Sequence, residues 1–279
     1  MPGYGFSGKP STTGWDCVRM ARAWSILMKR LGYSRYVAQG GDWGAFVTEQ
    51  MGVLAPPKLL EIHINLASAV PDEVLKPLQT GTPPAGLSAE EKYAFDRLAF
   101  LFTHGLSPFP QMANDPLTMY SIADSPVGLA TWFLDHDLRS SELITRSFNG
   151  QREGLTRDDV FHNLTLTWLT NTAISSARLY REHKLPFFVP MGVGIPVAVS
   201  AFPDEVYQVP RSSAGSRIPS SCTTTNCPRV DTSQLGKAGG PDRQAAGGIQ
   251  VAEVADLGAA DGVLGTRHPP PYVLAGVLR

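Results

Sequence analysis

The chain reads as an α/β protein: a parallel sheet interrupted by a block of helices. Three observations predict this. A strand–helix–strand order stands near the start, residues from about 70 to 190 carry helical patterns alone, and a strand pattern returns at Pro196-Val197-Ala198-Val199-Ser200. With 279 residues and 43% hydrophobic side chains, the chain has enough apolar material for a sizeable core. Its net charge of −1 argues against a polyanion-binding surface, so no nucleic-acid partner is expected.

Ser11-Thr12-Thr13 offers a cap for a helix whose apolar face runs through Val18, Ala21, Trp24, Ile26, Leu27 and Leu31, and Gly32 stops it. Tyr36-Val37-Ala38-Gln39 is a short buried strand leading into Gly40-Gly41-Asp42-Trp43-Gly44. A second helix follows through Ala45, Phe46, Val47, Met51, Val53 and Leu54, ended by Pro56-Pro57, and Leu59 to Ala67 is the next strand. Ser88, with Glu91 three residues on, is a capping box. Helical patterns recur at 89–103, 127–139 and 164–182. The expected organisation is a first core part at 1–70, an inserted helical lid at 71–190, a core strand with an acidic loop at 191–211, and a different kind of sequence from 212 to 279.

That last division rests on composition. Of 25 Phe, Trp and Tyr residues, only Tyr272 lies in 212–279, which also holds ten Gly and no Met. A folded third of a protein rarely reads so, and the range is expected to be a disordered tail. The start, Met1-Pro2-Gly3-Tyr4-Gly5, has neither the basic nor the apolar region of a signal peptide. No apolar run reaches the ~18 residues of a membrane-spanning helix. Three cysteines (Cys17, Cys222, Cys227) suit a reducing compartment, and a soluble, cytoplasmic protein is expected.

The chemistry centres on Asp42. Gly-x-Asp-x-Gly between a strand and a helix meets the context of a nucleophile elbow. The glycines permit a sharp turn, and the helix start supplies N–H groups and the positive end of a dipole. A carboxylate placed there attacks carbon and forms an ester. The same five residues also fit an ordinary turn with Asp42 as a helix N-cap.

Residues 1–211 resemble the α/β-hydrolase-fold epoxide hydrolases of the branch related to the microsomal enzyme. Five segments carry the resemblance: Pro2-Gly3-Tyr4-Gly5-Phe6-Ser7-Gly8, the elbow at 40–44, Ala123-Asp124-Ser125-Pro126-Val127-Gly128-Leu129, Ala177-Arg178-Leu179-Tyr180-Arg181-Glu182, and Phe202-Pro203-Asp204-Glu205 through Val209-Pro210-Arg211. The resemblance implies that epoxide and water give a vicinal diol, with no cofactor and no metal, on a small-molecule epoxide substrate. It implies Asp42 as nucleophile, the Trp43 backbone N–H as half of an oxyanion hole, and Tyr180 as a donor to the epoxide oxygen. The family's second lid tyrosine is expected near Ser107-Pro108-Phe109-Pro110-Gln111, which has none, and Tyr120 is the nearest substitute. Glu205, with Asp204 beside it, matches the relay acid that orients a general-base histidine.

Two parts implied by the resemblance are missing from the sequence. The family's His-Gly-x-Pro oxyanion segment precedes the Pro-Gly-Tyr-Gly-Phe-Ser stretch at which this chain starts, so the early strands and half the oxyanion hole are expected to be absent. The catalytic His should follow the relay acid by about two dozen residues, a spacing the resemblance supplies, yet none occurs between Glu205 and His268. His63, His104, His136, His162 and His183 lie on the wrong side of the acid. With suitable synonymous codons, however, the nucleotides of Arg229 through Lys237, read from the third base of Arg229, can spell G-G-H-F-A-A-W-E. The same shift turns Ser221 through Arg229 into V-Y-Y-N-E-L-P-P. The tail is therefore expected to be translated out of frame, leaving a chain of impaired activity. Two other readings stand beside this one: a haloalkane-type dehalogenase with Trp43 as a halide ligand, and a non-catalytic hydrolase-like binding protein.

Overall fold

The computed structural model describes residues 1–201 apart from 69, 71, 81, 136–137 and 152–154, together with 223–226, 248–253 and 275–276. Helix α1 (Cys17–Arg30) starts later than Ser11–Thr13 suggests, because Asp16 is the cap: its carboxylate accepts the Arg19 N–H at 2.8 Å. Gly14, at φ +79°, turns the chain between the two, and its own N–H goes to the Glu182 carboxylate at 2.9 Å. The helix ends as Gly32 predicts. Gly32 takes φ +83°, and the Tyr33 and Gly32 N–H groups reach back to Met28 and Lys29.

Strand β1 (Tyr36–Gly40), helix α2 (Trp43–Leu54) and strand β2 (Leu59–Ile64) form the expected parallel unit, with Ala38 opposite Ile62 and Gly40 opposite Ile64. The ladder stops three residues short of the predicted Ala67. Asn65 to Ser68 leave the sheet yet stay buried, because the chain turns against α2 there and Ser68 bonds to Glu49. Helix α2 is buried along its length from Trp43 to Gly52. A Cβ at Gly52 would stand 2.7 Å from a Val193 methyl, so the loop before the next strand lies tight on the helix.

Between β2 and β3 (Val197–Ala201) the chain is helical: α3 (Asp72–Thr80), α4 (Ala89–Phe100), α5 (Pro108–Asn114), α6 (Tyr120–Asp124), α7 (Pro126–Leu134), α8 (Leu138–Phe148), α9 (Arg157–Thr170) and α10 (Ala173–Glu182). The Ser88–Glu91 capping box forms in both directions at the start of α4. The single pattern predicted over 164–182 is two helices, since Asn171 at φ +51° breaks it. Most of this helical block joins the core cluster of α1, α2 and the sheet, while Leu143, Ile144, Leu155 and Val160 make a small second cluster under α8 and α9.

The strand order is β4-β3-β2-β1-β5-β6. Within 212–279, the range expected to be a disordered tail, three described segments form β4 (Thr223–Asn226), β5 (Gly248–Glu253) and β6 (Ala275–Gly276). Strand β4 runs parallel to β3, and β5 pairs antiparallel to β1. The edge of β1 is thus covered rather than exposed, which satisfies backbone groups that would otherwise template aggregation.

Helix α2 ends on Ala55 at φ +42°, a left-handed cap occupied by a residue with a Cβ. We expect Ala55→Gly to raise stability by about 0.5–1 kcal/mol by removing that strain. A higher urea midpoint at unchanged slope is the predicted result.

Candidate active site

The end of β1 is shaped by close approach. A Cβ on Gly40 would lie 2.1 Å from the Gly44 carbonyl oxygen, and one on Gly41 would lie 2.6 Å from Asn65 Oδ1. Two glycines therefore bring the strand directly under the first turn of α2. Asp42 occupies the corner at φ 49°, ψ −129°, a conformation that costs about 1–3 kcal/mol for a residue with a side chain. Its carboxylate oxygen Oδ1 accepts the Trp43 N–H at 2.5 Å, and its carbonyl accepts the Ala45 N–H at 2.9 Å. The side chain is half-buried at the positive end of α2. One carboxylate oxygen is held by a backbone donor.

Trp43, next in sequence, gathers rings from the helical block between β2 and β3. Its ring meets Tyr180 edge-on at 4.8 Å, His183 at 4.9 Å, Phe46 at 5.6 Å, Phe187 at 5.8 Å and Phe109 at 6.4 Å. Each well-oriented ring pair adds about 0.5–1.5 kcal/mol beyond area burial. Asp42, Trp43 and Tyr180 are thus brought together: Tyr180 is buried, and its ring lies against the residue that follows Asp42. The segment expected to hold a second tyrosine places Phe109 there, 5.6 Å from the Tyr180 ring. Tyr120 is not part of this group. It is exposed on α6 and lines an open groove with Lys9, Asn171, Ile174 and Arg178. Glu205 lies outside the described residues.

Helix α10 is fixed by the first fourteen residues. Tyr4 Oη donates to the Ser176 carbonyl at 3.0 Å, Ser175 Oγ to the Gly3 carbonyl at 2.7 Å, and Arg178 Nη1 to the Pro10 carbonyl at 2.8 Å. Gly3, at φ +85°, must be glycine, since a Cβ would stand 2.8 Å from the Ser175 carbonyl oxygen. The Pro2–Gly8 and 177–182 segments, distant in sequence, are therefore one structural unit that sets Tyr180.

The histidines separate by environment. His63 Nε2 bonds Ser200 Oγ at 2.8 Å between β2 and β3, His104 stacks on Phe100, and His162 is exposed. His136 lies outside the described residues. His183 is the one the sequence did not single out for this place: it is buried among Trp43, Phe46 and Phe187, and burial pushes its pKa down to about 4. Sequence reading also missed Glu49, two turns beyond Asp42 on α2. Its carboxylate accepts the Ser68 N–H at 2.6 Å and the Ser68 hydroxyl at 2.5 Å, and burial raises its pKa to about 7 against the pull of those bonds. Among the described residues, no group of three or more His, Cys, Asp or Glu could hold a metal ion, and no helix is long and apolar enough to cross a membrane.

No protein-family model matches the chain. It is 39% identical over 212 residues to a protein of Stigmatella aurantiaca named as an epoxide hydrolase, covering 76% of this chain and 46% of that protein. It is 30% identical over 244 residues to epoxide hydrolase 1 of Oryctolagus cuniculus, covering 82% of this chain and 54% of the relative. The chain spans about half the length of the curated relatives it matches. Among solved structures, the juvenile hormone epoxide hydrolase of Bombyx mori superposes with a TM-score of 0.66 at 26% identity, over 82% of this chain and 57% of that one. The Aspergillus niger epoxide hydrolase gives a TM-score of 0.58 at 27% identity, over 81% and 54%. The parallel sheet with inserted helices is accordingly part of an α/β-hydrolase fold.

A depressed histidine pKa is a statement about stability. Between the ordinary 6.5 and the folded value near 4, the unfolded chain binds a proton that folded His183 refuses. Its contribution is full above pH 6.5 and is lost as pH falls toward 4. Glu49 acts in the opposite sense, its contribution full below 4.5 and lost as pH rises through about 7. Urea unfolding at a series of pH values should show the stability difference between the native chain and His183→Phe shrinking on acidification. A difference constant from pH 4 to 7 contradicts the assignment.

Proposed function

We propose, from its homology to epoxide hydrolases of the α/β-hydrolase fold, that this chain carries the ring-opening half of epoxide hydrolysis. The observation that supports this most is the strained Asp42, with its Oδ1 on the Trp43 N–H and Tyr180 packed on the Trp43 ring. Oδ2 attacks an epoxide carbon, the C–O ring bond breaks, and its electron pair stays on the epoxide oxygen. A hydrogen bond, then a proton, from the Tyr180 hydroxyl compensates that developing alkoxide. The product is a hydroxyalkyl ester on Asp42. Phe109, Phe187 and Trp43 supply apolar walls suited to the substrate's hydrocarbon part. The reaction as written uses no cofactor.

Release is the weaker half. Water must add to the ester carbonyl carbon, placing negative charge on Oδ1, where the Trp43 N–H already donates. That addition needs a base, and Glu205 as relay acid needs a histidine to orient. The sequence offers none between Glu205 and His268. His183, held neutral among aromatic rings on the Trp43 side, does not meet that requirement: it precedes the acid in the chain and is walled in by carbon. We further propose that the chain from about residue 212 is read out of frame. The shifted reading places the missing imidazole across the Asp231 and Thr232 codons.

With a styrene-oxide-type substrate, the expected outcome is consumption of about one equivalent of epoxide per chain and no sustained diol release. Asp42→Asn should remove the burst. Sustained multiple turnover contradicts the impaired release, and the absence of any burst contradicts the nucleophile. The coding nucleotides test the frame: the shifted reading must spell the Gly-Gly-His run, and any other codon choice ends the idea.

A further inference from the structure

The proposed ring opening leaves one buried acid unused. Glu49 lies on α2, seven residues past Asp42 and so about 10 Å further along the helix. Ser68, its partner, lies three residues past Asn65, a reach of about 10 Å for extended chain. The two spans match. Asn65 Oδ1 sits where a Cβ on Gly41 would be only 2.6 Å away, and Ser68 gives its N–H and hydroxyl to the two Glu49 oxygens. Two contacts thus tie the chain leaving β2 to the elbow and its helix, one at each end of Asn65–Ser68, and all four of these residues are buried. A small cavity lined by Ile64, Met191, Val193 and Val197 borders Glu49 and leaves the carboxyl apolar neighbours on that side.

We infer that Glu49 is a positioning residue for Asp42: by clamping Ser68 it fixes the β2 exit chain, and thereby seats Asn65 against Gly41 of the elbow. The inference rests on Asp42 as nucleophile for its consequence, and on geometry alone for its mechanism. Ionised Glu49 accepts both Ser68 donors in charge-assisted bonds, roughly twice as strong as neutral ones, so the clamp is tighter with the carboxylate charged. Burial places that change near pH 7. No charged group contributes to the shift, whose causes are burial and the two Ser68 bonds. The titratable neighbour from α1 is Cys17, whose thiol is held far above its ordinary range by burial and by Asp16, Glu49 and Asp42, and so stays neutral throughout. The loop before β3 and β3 itself contribute Met191, Gly192, Val193 and Val197, without charge.

The test is a titration of the isotope-labelled full chain from pH 5 to 9, followed by nuclear magnetic resonance at the Glu49 carboxyl and the Asn65 side-chain amide. Both should shift together with a midpoint near 7. Ser68→Ala should move the Glu49 midpoint upward, since it removes a bond that favours the charged form. In Glu49→Gln the Asn65 signal should stay flat. An Asn65 signal that does not move in the native chain, or moves identically in Glu49→Gln, overturns the inference. The rate of Asp42 ester formation should rise through the same midpoint and run flat in Glu49→Gln, roughly tenfold lower at pH 8.5. Equal rate profiles in the two proteins also overturn it. Failure of Asp42 to form an ester at any pH, with the Asn65 response intact, sinks the functional reading and leaves the clamp standing.

Discussion

One non-glycine residue at positive φ organises this molecule. Asp42 stands where a parallel strand must become a helix within two residues, and no relaxed backbone makes that turn. The strain of about 1–3 kcal/mol is outweighed because the turn buries α2. Phe46, Val47 and Met51 alone, each nearly inaccessible, contribute about 1.5–3 kcal/mol apiece. Relaxing Asp42 would lift α2 off the sheet and forfeit more than it recovered. The packing therefore holds the half-buried carboxylate in that corner, and the helix start supplies the N–H that grips one of its oxygens.

The rest of the site follows from how other segments are held to that corner. Gly40 and Gly41 are small because Gly44, Thr48 and Asn65 press against them. Tyr180 is set by α10, and α10 by hydrogen bonds from Tyr4, to Gly3 and to Pro10. Burying Glu49 and His183 has a cost, visible in pKa values pushed in opposite directions. The two differ in how that cost is met. Glu49 is given two donors; His183 is kept neutral in a ring cluster.

Much of this was legible in the sequence. The elbow, its flanking strand and helix, and the Ser88 capping box depend on neighbours within a few residues, so local chemistry reveals them. Tyr180 was found through a resembling segment rather than through any local signal. Thr48-Glu49-Gln50 is a polar run that nothing in its immediate neighbours marks as buried. The sheet, α1 and the 191–193 loop together bury α2, and α1 and that loop come from well before and well after it in the chain. The break at Asn171 was hidden because apolar periodicity runs on either side of it, and a left-handed Asn leaves no trace in periodicity. Tyr120 was chosen by nearness in sequence, while the ring at the site comes from Phe109, inside the segment where a tyrosine had been sought.

The central claim is that the fold prepares one carboxylate, Asp42, to attack carbon. Its most direct test is peptide mass mapping after brief exposure of the native chain to a limiting aryl epoxide near neutral pH. The account predicts a single ester, on the peptide containing Asp42, cleavable by hydroxylamine. Label spread over exposed acids and His162, with Asp42 unmodified, would contradict it.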